Sequence, residues 1–178
     1  MAEAKASGAS APAPPVLAEV RARWLGGTKY AVGKPGGPTA TIDGDNVAGP
    51  GPVVTLLGAL AACSSIDVIG YLEKRRTPAE QLEVVVSAIR SGDAPRRVRS
   101  ATLEFQIHGA GIHEAHAERA IALSVERYCS VGASLAPDIK LDLRLALNGQ
   151  PARRVRPCAE LAPADDEAAP DRMRPTPK

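Results

Sequence analysis

The chain has 178 residues, with 22 Lys and Arg against 20 Asp and Glu for a formal charge of +2, long enough for one domain whose core needs neither disulfides nor metal. Near-neutral charge and five scattered aromatics, Trp24, Tyr30, Tyr71, Phe105 and Tyr128, argue against a nucleic-acid surface, which needs clustered cations and stacking rings. Cys63, Cys129 and Cys158 stand far apart with no Cys-x-x-Cys pair, which argues against a secreted disulfide framework and a zinc ribbon.

Residues 1–15 are rich in Ala, Pro and Ser and offer little to bury, so a disordered N-terminal tail is predicted. They lack the apolar stretch of a secretory signal, and a reducing, cytoplasmic location is expected. A domain is predicted over 16–149. It opens with strands at Val16–Trp24, Lys29–Val32 and Thr39–Ile42, the first two parted by the Gly26-Gly27 turn. Asp43-Gly44 and Gly49-Pro50-Gly51-Pro52 end that sheet, and Pro52 suits the first turn of a helix because its missing N–H costs nothing there.

From Val53 to Leu72 nearly every residue is apolar or small, with Asp67 the single charge, and a helix apolar all round is predicted to be buried. Its length also meets the minimum for a membrane span. Against that stand Asp67, which costs about 2.5–3.5 kcal/mol at a bilayer centre, and amphipathic strands that need a helix to cover. A strand follows at Leu82–Ile89, and another where Leu103, Phe105 and Ile107 alternate with polar residues. A second helix is predicted from His113 to Cys129, with Ala117, Ile121, Ser124, Val125, Tyr128 and Cys129 on its inward face. Ile139–Leu147 alternates as a final strand. The order gives an α+β domain, antiparallel sheets wrapped on two helices, one of them long, central and buried. Residues 150–178 show no hydrophobic period and are predicted to be a disordered tail in which Arg153, Arg154 and Arg156 are solvated and Cys158 is incidental.

The chemistry centres on the thiols. A free thiol is only a few per cent ionised at neutral pH, and apolar burial suppresses ionisation further, so Cys63 needs a cation or donor nearby. Lys29, beside the glycine turn, is the first candidate, with Arg21 and Arg23 behind it. Asp67 lies one turn from Cys63 on the same helix face. Its charge opposes thiolate formation unless it holds a cation that bridges to the sulfur; otherwise it pairs structurally with a basic residue. Cys63 as a plain core residue is the competing reading. His113 and His116 lack zinc-site spacing and read as a surface helix start, and His108 reads as a solvent-facing strand end. No cofactor or metal is expected.

Gly49-Pro50-Gly51-Pro52, the run Leu56-Leu57-Gly58-Ala59-Leu60-Ala61-Ala62-Cys63-Ser64-Ser65-Ile66-Asp67-Val68 and the segment Arg127-Tyr128-Cys129-Ser130-Val131 together resemble the OsmC-like superfamily, which includes the organic hydroperoxide resistance proteins. The resemblance covers Val16 to Leu147. It implies an intertwined homodimer with sites at the subunit interface, Cys63 as attacking thiol, Cys129 as resolving thiol, an organic hydroperoxide or related electrophile as substrate and a cellular dithiol as reductant. Leu56, Leu60 and Tyr128 favour an organic group. The peroxidase branches carry a carboxylate where this chain has Val53 and Val54, and an arginine where it has Thr28. A non-catalytic dimeric binding or scaffold protein is the alternative.

Overall fold

The computed structural model describes residues 17–161; the predicted N-terminal tail and residues 162–178 of the predicted C-terminal tail lie outside them. The chain divides into two compact units, one ending at Pro52 and the other starting at Val53.

The N-terminal unit is an antiparallel sheet of β1 (Arg21–Gly26), β2 (Lys29–Gly33) and β3 (Thr39–Asp43) in that order. The predicted first strand began at Val16; pairing starts at Arg21, opposite Gly33. Gly26 and Gly27 form the turn at φ 100° and 57°, a region open to glycine at little cost. After β3 one carboxylate organises the loop. Asp43, 3% exposed, accepts the Thr28 hydroxyl at 2.7 Å and the N–H groups of Asp45, Val47 and Ala48 at 3.1, 3.3 and 2.9 Å. The Ala48 N–H, followed by the Thr28 hydroxyl, holds the Asp43 carboxyl down at about 2. Asn46 accepts the Gly51 N–H at 2.7 Å, and Gly49 passes so near the Thr41 carbonyl that a Cβ would overlap it.

The larger unit is built on α1 (Pro52–Lys74). Leu60, Ser64, Asp67, Val68, Tyr71 and Leu72 are buried, at spacings that make one helical stripe. Burial on all sides was predicted, yet Val54 and Ile66 are 54% and 48% exposed: apolarity around a helix shows that it tolerates burial, while the neighbours decide which face receives it. α1 is long and apolar enough to cross a membrane, and here its buried stripe joins Leu103, Phe105 and Ile107 in one core.

Those residues belong to a sheet ordered β4 (Gln81–Arg90), β5 (Val98–His108), β6 (Lys140–Leu147) and β7 (Arg153–Arg154). β4 and β5 form an antiparallel hairpin that sets Val84 against Phe105 and Val86 against Leu103. β5 and β6 pair in parallel, Phe105 against Leu145, where only antiparallel pairing was predicted. A parallel pair needs a crossover of a dozen or more residues, and the second helical segment supplies it. Predicted as one helix from His113 to Cys129, that segment is α2 (Glu114–Leu123), a π turn (Ser124–Tyr128) and the single-turn α3 (Ser130–Ala133). Ala117, Ile121, Ser124 and Cys129 face inward as predicted.

The prediction of a disordered tail from residue 150 is corrected as far as 161. β7 pairs with β6, Val155 is 5% exposed and Cys158–Glu160 forms a 3-10 turn. The anchor is ionic. Glu118 on α2, 1% exposed, accepts the Arg156 backbone N–H at 3.0 Å, Nε at 3.2 Å and Nη2 at 2.9 Å, with Arg153 Nη1 at 3.7 Å. A buried carboxylate needs such partners, so these arginines are ligands of the fold. Arg156 holds the Glu118 carboxyl below its usual range.

Candidate functional site

The site is a pair of thiols in the larger unit. Cys63, midway along α1, is half-buried; Cys129, directly after the π turn, is 2% exposed; both are free. Cys63 lies close enough to Cys129 to influence its ionisation. The π turn is what delivers Cys129. Its N–H donates to the Ser124 carbonyl at 2.7 Å, five residues back, and its backbone then leaves the helix at φ −70°, ψ 97° to cap α3. The sulfur accepts the Gly132 N–H at 3.3 Å. Leu60 on α1, 1% exposed, borders the same place: a Cβ added at Gly132 would lie 3.5 Å from the Cys129 sulfur and 3.6 Å from Leu60 Cδ1.

Burial pushes the Cys129 thiol up to about 11, opposed by the Gly132 N–H and raised further by the hydrogen bond to Cys63 and by its charge. At neutral pH Cys129 therefore keeps its proton.

Asp67 is 8% exposed. The buried Ser124 hydroxyl lies 3.3 Å from Asp67 Oδ2 and 2.9 Å from the Ser64 carbonyl oxygen, so α1 and the π turn are joined by polar contacts one helical turn from Cys63. Lys29 opens β2 in the N-terminal unit, exposed and opposite Asp43 in register. Arg21 and Arg23 are exposed on β1, with Arg21 3.7 Å from Glu19. Thr28 is engaged by Asp43 and, at 2.9 Å, by Asp45. Val53 is half-buried at the start of α1, beside the exposed Val54.

The family model described as OsmC-like protein matches residues 43–144, a span that includes both thiols. The chain belongs to the OsmC-like family. Protein YhfA of Escherichia coli strain K12 is 31% identical over 124 residues, 69% of this chain and 92% of YhfA. An OsmC-like protein from Mycoplasma pneumoniae superposes with a TM-score of 0.63 at 20% identity, over 72% of this chain and 95% of that one. The organic hydroperoxide resistance protein OsmC from Legionella pneumophila superposes with a TM-score of 0.53 at 14% identity, over 74% and 99%. At these identities the two structures show that the OsmC-like fold is shared.

Sequence reasoning missed Ser124, Gly132 and Glu118 as residues that build this region. Ser124 carried a signal, a hydroxyl on an otherwise apolar inward face. Gly132 carried a weaker one, three positions after a cysteine that caps a turn. Cys158, taken as incidental, packs against the core, and its N–H donates to Glu126 Oε1 at 3.0 Å. His113 caps α2 with its ring 5.5 Å from that of His116. A pocket of about 290 Å³ lined by Val125, Glu126, Leu141, Arg154, Val155 and Pro157 among others includes neither Cys63 nor Cys129.

Proposed function

We propose that the chain is a thiol-dependent peroxidase that reduces organic hydroperoxides through Cys63 and Cys129. The observation that carries this reading is a pair of free thiols, Cys63 on α1 and Cys129 after the π turn, close enough for Cys63 to raise Cys129. Cys63 thiolate attacks the O–O bond of ROOH, giving Cys63 sulfenic acid and, after one proton is taken up, ROH. Cys129 thiol then condenses with the sulfenic acid to form the disulfide and water, and a cellular dithiol restores both thiols while becoming oxidised itself. Leu60 beside the thiols and the half-buried Tyr128 favour an organic R group. The exposed apolar residues Val54, Leu56 and Ile66 of α1 suit burial in a homodimer interface.

The test is intact mass with peptide mapping before and after one equivalent of an organic hydroperoxide under anaerobic conditions. Loss of two hydrogens mapped to Cys63 and Cys129 is expected; an unchanged mass rejects the peroxidase. A non-catalytic dimeric binding or scaffold protein is the second reading. It is favoured by the engagement of Thr28 with Asp43 and Asp45 and by valine at 53 and 54, in the places where the peroxidase branches carry their arginine and carboxylate.

A further inference from the structure

Ser124 has two separate connections. Its backbone carbonyl receives the Cys129 N–H at 2.7 Å and so closes the π turn on that cysteine. Its side-chain hydroxyl, wholly buried, reaches across to α1, 2.9 Å from the carbonyl oxygen of Ser64 and 3.3 Å from Asp67 Oδ2. Ser64 is the neighbour of Cys63 in the chain, and Asp67 stands one turn beyond it. One residue thus links the backbone that carries the first thiol to the backbone that carries the second. A π turn holds one residue more than an α turn and is a weaker arrangement, found in single turns and often at functional sites; a fixed lateral contact is what it needs to hold one geometry. Ser64 itself turns its hydroxyl back onto its own helix, 2.9 Å from the Leu60 carbonyl oxygen and 3.0 Å from that of Ala61, so the side-chain link across to α1 comes from Ser124.

We propose that Ser124 is a positioning residue: its hydroxyl latches the π turn to α1 at Ser64 and Asp67 and thereby sets where the Cys129 sulfur meets Cys63. This rests on the peroxidase reading and assigns the second of its two steps to a specific contact. Attack of Cys63 on the hydroperoxide does not involve Ser124. Closure of the disulfide, in which the Cys129 sulfur bonds to the Cys63 sulfur and water leaves, depends on the approach the latch defines, and small displacements in such a step cost much in rate.

The experiment is single-turnover oxidation of the full chain by cumene hydroperoxide, with sulfenic acid trapped by dimedone and disulfide followed by mass. In Ser124→Ala, formation of the Cys63 sulfenic acid should stay within about twofold of wild type, while disulfide closure slows by about tenfold or more and dimedone-labelled Cys63 accumulates. Ser124→Thr, which keeps the hydroxyl, should close within about threefold of wild type. Closure at the wild-type rate in Ser124→Ala, or equal slowing of both steps, overturns the latch and leaves the peroxidase standing. A wild-type protein that forms neither sulfenic acid nor disulfide overturns the peroxidase reading and the latch with it. Should Ser124→Ala fail to fold, Ser124→Thr decides: tenfold slower closure with the hydroxyl present overturns the proposal, and closure near the wild-type rate supports it.

Discussion

Cys129 and Cys158 sit in the same unit, both against the core, and burial pushes both thiols up to about 11. What surrounds them differs. Cys129 receives the Gly132 N–H and meets the Cys63 thiol; Cys158 meets the charge of Glu126, which raises it again, with Arg119 and Arg127 opposing. Suppressed ionisation is therefore no mark of function by itself. In one place the raised thiol lies beside a second sulfur, and in the other beside a carboxylate.

Substitution separates the two most sharply. Cys63→Ser should lower hydroperoxide turnover by about 100-fold or more, while Cys158→Ser leaves it within about twofold, both read from peroxide consumption with a dithiol reductant. Cys129→Ser should retain one equivalent of peroxide consumption and accumulate sulfenic acid on Cys63, seen as dimedone adduct; retention of steady turnover would give Cys158 the resolving role instead. Glu118→Gln should destabilise the fold by about 1–3 kcal/mol, because Arg156 loses a buried charged acceptor, and should speed labelling of Cys158 more than that of Cys129 by releasing the segment that carries it. The smallest effect is in acid. The Asp43 carboxyl lies at about 2 in the fold against 3.8 ordinarily, and Glu118 is lowered as well. The unfolded chain therefore binds more protons between about pH 4 and 2, and stability present above that window is lost as pH falls through it. Denaturant midpoints should fall across this range, and less steeply in Asp43→Asn.

Strand and helix order was legible because alternation in β5 and β6 and the unbroken apolar run of α1 are local patterns. The expectation that Cys63 and Cys129 act together came from the family resemblance and from both residues facing inward. Three features were not legible. The π turn hides inside a helical period, since one extra residue shifts the phase without breaking the apolar face. Parallel pairing of β5 with β6 leaves each strand's own alternation unchanged. The order of residues 153–161 depends on Glu118, some 35 positions earlier, so a hydrophobic period could not reveal it. Lys29 was chosen by its place beside a glycine turn; that choice concerned the N-terminal unit, where it opens β2.

The parallel pairing also bears on the order in which the chain assembles. β4 and β5 are hairpin neighbours and can join early, whereas β6 reaches β5 only after the whole crossover has been threaded, and pairings between distant segments form slowly. Cys129 lies on that crossover. The crossover that brings β6 to β5 thus also carries the second thiol, so the parallel pairing and the placing of Cys129 share one segment of chain.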